Sequence, residues 1–205
     1  GNAGDAEPTK PRYCSTHDLV LSVITPATAA VRRARDDQVD TIVAALHETL
    51  QRTHLGEPIL YDYNHAEQPA AKASLPGSVH GALSDFYWHA GLFVPATRHA
   101  EAAWLANGYR VSARMLTQVV AAASRAALLA ADPHQRQRLM DRALIALPTL
   151  QSLPRSIERL TTIASLLRRH AMVEPTQSAM AMAEQAFAEV LRQRLSAELG
   201  ELTDK

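Results

Sequence analysis

Histidine chemistry has to be weighed first, because nine of the 205 residues are histidine. A helical metal site wants ligands at i and i+3 or i+4, as in Glu-x-x-His or His-Glu-x-x-His, and neither pattern occurs. The nearest pair is Asp85 and His89, one helical turn apart, which His80 or His99 could join only through a tertiary approach. Two groups on one turn do not make a site, so no metal and no cofactor is expected. The histidines are expected instead to cap helices, stack on rings or face solvent. In His65-Ala66-Glu67 and His99-Ala100-Glu101 the imidazole and carboxylate stand two positions apart, on different sides of a helix. Cys14 lies near His17 and Asp18, a grouping expected from chance and cap chemistry near a terminus, and no Gly-x-Ser-x-Gly elbow accompanies it. One cysteine excludes an internal disulfide and a zinc finger. The absence of a glycine-rich phosphate loop or dinucleotide fingerprint excludes an ATPase or dehydrogenase.

Aromatic residues are placed unevenly. Eight of the ten (Tyr61, Tyr63, Phe86, Tyr87, Trp88, Phe93, Trp104 and Tyr109) fall between positions 61 and 109. Tyr and Trp give large contact area at low entropic cost, so such a concentration suits a ligand pocket or docking patch; rings that pin a connection to a bundle would give the same pattern. Charge is balanced, with 21 basic and 21 acidic residues, but segregated: net −4 over 1–97, +7 over 98–170 and −3 over 171–205. All eleven basic residues of the middle segment are arginine, and a helix through Arg110, Arg114 and Arg125 carries a guanidinium stripe. That stripe would suit a small anion more than nucleic acid, or would be neutralised by the acidic flanks folding back on it. The candidate ligand-binding set is therefore Tyr87, Trp88, His89, Trp104, Tyr109, Arg110 and Arg114. No catalytic residue is assigned.

The elements that must position these groups read as helices. Glycine is scarce, alanine, leucine, arginine and glutamine dominate, and the prolines fall mostly between periodic segments, which predicts an all-α fold. A short helix after Ser15 and Thr16 should break at Pro26, where a longer one begins and runs to a stop at Gly56. Residues 57–84, with Pro69, Pro76, Gly77 and Gly81, predict a long irregular connection. Asp85 or Ser84 should cap a helix carrying Phe86 to Phe93. From Pro95 to Ala131 only Gly108 interrupts a helix-forming stretch, so one central helix of about 55 Å is expected. Asp132-Pro133, Pro154 and Glu174-Pro175 open further helices, giving an up-down bundle. The domain is expected to span 15–205 behind a tail at 1–14. Apolar runs such as 126–131 are far shorter than a membrane span.

The chain starts at Gly1, and Asn2 to Arg12 are small, polar and interrupted by two prolines. We read this as a spacer behind a removed signal or anchor, and so expect an exported, periplasmic setting over a cytoplasmic one. Arg12 and His17 have an Arg-x4-His spacing resembling that of helical RNA-cleaving toxins, but it stands in the tail. Arg114-Met115-Leu116-Thr117-Gln118 resembles the Arg-Met-Leu-Ser-Gln run of the exported helical sensor domains of the type IV pilus and nitrate-sensor kind, with Val111 where that pattern has glycine. The resemblance covers five residues, and no family is assigned on it. The expectation is a non-enzymatic, sensor-like binding module for a small anionic or aromatic ligand or a protein partner. The alternatives are an enzyme using Asp85, His89 and His99, and a structural protein that pairs with a second copy as a homodimer.

Overall fold

The computed structural model describes residues 16–53, 56–68, 75–106 and 113–203, and the expected tail at 1–14 lies outside them. The described residues fold into α-helices with no strand: α1 (Thr16–Val31), α2 (Asp36–Gln51), α3 (Gly56–Asn64), α4 (Gly77–His89), α5 (Phe93–Ala106), α6 (Ala113–Leu129), α7 (Pro133–Ile145), α8 (Leu147–Ser152), α9 (Ile157–Val173) and α10 (Gln177–Thr203). Helices adjacent in sequence pack on one another from α4 to α7 and again at α9 and α10, as an up-down bundle requires, while α1 returns onto α4 and α9 onto α6. None of these helices is long and apolar enough to cross a membrane.

Two apolar clusters form the core. One packs Leu116, Val120, Ala127, Leu139, Met140, Leu150 and Leu166 from α6 to α9. The other packs Val20, Ile24, Leu46, Leu50, Val79, Leu83 and Phe86 from α1, α2 and α4. They meet on α5 and α6, where Ala96 and Ala122 face one cluster and Ala100 and Ala123 the other. Small side chains there let helices approach closely on both sides, and each interior leucine contributes about 1.5–3 kcal/mol of transfer free energy.

Three sequence-based expectations are corrected. The single helix over 95–131 is two helices, α5 and α6, packed on each other, with Asn107 and Gly108 falling between them in sequence. A lone 55 Å helix would leave alanine faces bare that the paired helices bury in Ala102, Ala103, Ala122 and Ala123. The connection at 57–84 contains α3 and the start of α4. Gly56 is its first residue rather than a simple stop: a Cβ at this position would lie 1.9 Å from the Leu50 carbonyl oxygen, so glycine lets α3 start hard against the end of α2. Pro26 does not break α1, which continues to Val31. The break falls at 32–35, and α2 begins where the Gln38 side chain accepts from the Arg35 amide at 3.2 Å with Asp36 and Asp37 in the first turn.

Other local signals act as their chemistry dictates. Asp132 caps α7 by accepting from the amides of Gln135 (2.8 Å) and His134 (3.3 Å), with Pro133 taking the first helical position. Ser156 caps α9 through the Arg159 amide, and Thr176 caps α10 through the Ala179 amide. The end of α4 is a Schellman turn: Gly91 adopts φ +74°, its amide bonds to the Trp88 carbonyl, and the Leu92 amide to that of Tyr87. This turn reverses the chain and lays α5 antiparallel along α4. It thereby sets the register of the residues described next.

Candidate metal centre

Four helices converge on a buried polar cluster. His80 and Tyr87 stand seven residues apart, two turns along one face of α4. Across the Gly91 reversal, α5 presents Arg98 and His99. From α3 comes Asp62, and from α2 His47. His80 and His99 are fully buried, with Asp62 and Arg98 each 7% exposed.

Nδ1 of His80 and Nδ1 of His99 lie 2.9 Å apart. An oxygen of Asp62 and a nitrogen of each imidazole all fall within 4.8 Å of one another. Asp62 is held by Arg98, whose Nη2 (2.9 Å) and Nε (3.3 Å) both donate to Oδ1, while Nη1 donates to the Gln68 carbonyl. The other carboxylate oxygen is not used by this fork. Tyr87 stacks on His99 with ring centroids 5.5 Å apart and planes 15° from parallel, and its hydroxyl meets Nε2 of His47 at 2.8 Å. Tyr63 packs edge-on against His47 at 4.4 Å and lies 5.3 Å from Tyr87.

The electrostatics follow from burial. Loss of water disfavours the imidazolium and pushes His80 down to about 4, with Asp62 pulling upward and Arg98 further down. His99 lies well below its ordinary value, first through burial and then through His80, Arg98 and His47. His47 is lowered by burial, and the Tyr87 hydroxyl is pushed up by burial and by Tyr63. Both central imidazoles are therefore neutral at pH 7, which is the form that binds a metal ion.

The protons leave an account unsettled. Two neutral imidazoles carry one proton each. If one Nδ1 donates to the other, the donor ring has a bare Nε2 and the acceptor ring an Nε2–H. Both Nε2 atoms are buried without a hydrogen-bond partner. Each orphaned group costs about 1–3 kcal/mol, so the pair holds its place against a penalty. A cation held by both Nδ1 atoms would take the place of the shared proton and put one proton on each Nε2, so it would satisfy the facing nitrogens and leave the two Nε2–H donors as they stand.

The residues expected to bind ligand are scattered. Tyr87 belongs to the cluster. Trp88 packs against the α1–α2–α4 core and edge-on at 5.0 Å against Phe93, which with Trp104 packs against the other core. His89 is exposed, lowered by partial burial and by Arg32 and raised by Asp85. Tyr109 and Arg110 lie outside the described residues, and Arg114 is in the first turn of α6, where its side chain is not described. Arg125 sits 5.6 Å over the Phe93 ring. Of the alternative site at Asp85, His89 and His99, Asp85 accepts from Arg32 (3.2 Å) and Gln118 (3.0 Å) and lies near enough to act on His89, whereas His99 pairs with His80. His80 and His99 make the tertiary approach that the sequence required, but with Asp62 as the carboxylate. Asp62 carries no local signal, because the three groups lie 18 and 19 residues apart on three helices. No family profile matches this chain, and neither a curated protein nor a solved structure does.

Proposed function

We propose that the chain is a non-enzymatic, helical binding module whose ligand is a divalent first-row transition-metal ion held by Asp62, His80 and His99. The observation that carries this is the Nδ1 to Nδ1 separation of 2.9 Å between two buried imidazoles, with the Asp62 carboxylate within 4.8 Å of both. Two imidazoles and one carboxylate suit zinc, iron, cobalt, nickel or copper and not magnesium or calcium, which take oxygen ligands. Three protein ligands leave a coordination position for water or a small ligand. Arg98 would orient the carboxylate from behind, as outer partners of metal ligands do.

Arg98 also favours a second reading, a metal-free network in which the guanidinium alone satisfies Asp62 and the imidazoles pair as neutral rings. The two readings separate in one titration. Chelator-treated protein is titrated with Co2+ and with Zn2+, following the cobalt d–d bands and the Zn2+ isotherm. The metal reading expects one equivalent bound, with at least tenfold weaker binding in Asp62→Asn and loss of the site in His99→Leu, each checked for helix content. Absence of binding at millimolar metal, or binding unchanged in both variants, would leave the metal-free network standing.

A further inference from the structure

Elsewhere in the molecule, α8, α9 and α10 line a groove of about 540 Å3, within the range of small-molecule sites. Its wall is mainly apolar, with Leu160, Ile163, Met182 and Ala186 lining it beside Gln151 and Gln185. Its polar end holds three guanidinium groups, Arg155, Arg159 and Arg192, and one carboxylate, Glu189. That carboxylate is already committed. Oε1 of Glu189 faces Arg155 at 3.6 Å and accepts from Gln193 at 3.3 Å, and Oε2 faces Arg192 at 2.8 Å.

Arg159 is left over. It is 6% exposed, and its Nε and Nη1 are buried with no hydrogen-bond partner among the described residues. Guanidinium does not deprotonate in proteins, so it cannot escape the cost of burial by losing its charge as a lysine would. A buried cation without an anion is among the costliest arrangements a fold can keep. A planar guanidinium whose donors are still unpaired is also the group best matched to a carboxylate.

From this the geometry points to a binding site for an anionic amphiphile: a fatty-acid-like carboxylate whose head group accepts from Arg159 and whose alkyl chain lies along Leu160, Ile163 and Met182. The apolar wall selects against a bare small anion, and the surplus of positive charge selects against a neutral or cationic head. The site shares no residue with the Asp62–His80–His99 centre and stands or falls separately.

The test uses decanoate below its micelle concentration, with decanol and acetate as controls, read by calorimetry and by thermal shift. Decanoate should bind at least about tenfold more tightly than decanol, the worth of a charge-assisted hydrogen bond, and acetate should bind far more weakly than either. Arg159→Met should remove the preference for decanoate over decanol. Ala186→Phe, which fills the groove while keeping the arginine, should weaken both alkyl ligands. Equal binding of decanoate and decanol by the unaltered chain, binding of neither, or decanoate affinity unchanged in both folded variants would overturn the assignment.

Discussion

Arg142 on α7 and Glu101 on α5 form a two-point ion pair across 41 residues, Nε to Oε1 at 2.8 Å and Nη2 to Oε2 at 2.5 Å. Both side chains are buried, and Nη1 of the same arginine donates to the carbonyl of Ala66 beyond the end of α3. One guanidinium thus ties α7 to α5 and to the turn after α3. Removing one partner leaves the other charge buried, so Glu101→Ala should cost about 3–5 kcal/mol. The double variant Glu101→Leu with Arg142→Met should recover much of that loss, because a well-packed apolar pair avoids the desolvation penalty. Urea denaturation of the unaltered chain, Glu101→Ala and the double variant makes the comparison; a double variant no more stable than Glu101→Ala would contradict it.

Acid should weaken the fold through the buried imidazoles. The folded chain holds His80 down to about 4, whereas the unfolded chain protonates it near 6.5. Between those values the unfolded state binds more protons, so stability is fully present above pH 6.5 and falls as pH drops toward 4. The shift corresponds to about 3 kcal/mol from His80, and His99 acts in the same direction. Chelator-treated protein unfolded by urea at pH 7.5, 6.0 and 5.0 should show the decline, and His80→Leu should flatten it. A stability independent of pH over this window would refute the burial argument.

The Tyr87 hydroxyl tests how much the ring cluster depends on its polar edge. Tyr87→Phe keeps the stack on His99 and removes only the 2.8 Å bond to His47, so a loss of about 1 kcal/mol is expected. Tyr87→Ala opens a cavity in the core and should cost about 3–5 kcal/mol. Equal losses in chemical denaturation would show that the hydroxyl, and not the ring, holds the cluster.

Two glycines should respond differently to alanine. At Gly91 a Cβ would meet nothing within 4 Å, so only the left-handed backbone resists, and Gly91→Ala should cost about 1–2 kcal/mol. At Gly56 the Cβ would collide with the Leu50 carbonyl, which forces the α2–α3 junction apart. Gly56→Ala should therefore lower the melting temperature more than Gly91→Ala, and calorimetry of the two variants decides it.

Much of the helical plan is written locally. Asp132 with Pro133 states a helix start, since a cap and a residue that needs no amide are recognisable without neighbours. The composition likewise leaves little room for anything but helices. Local preference and fold part at a few positions: Pro26 is carried through α1, and Gly56 and Gly77 serve as helix starts rather than loop residues. Asn107 and Gly108 were too weak a signal against the helix formers around them to divide α5 from α6.

The sequence by itself determined that this chain would be helical, where several helices would start, and that its rings would crowd into residues 61–109. These follow from forces acting over one or two turns: hydrogen-bond capping, proline geometry and apolar period. Only the tertiary structure decided that Asp62, His80 and His99 meet, that Arg142 finds Glu101, and that Arg159 is buried without an anion. Those outcomes depend on how α3, α4, α5 and α7 pack in space, and on how α8, α9 and α10 close around the groove. Separations of 18 to 41 residues leave no periodic trace, because the energy that brings such groups together comes from burying the apolar faces beside them.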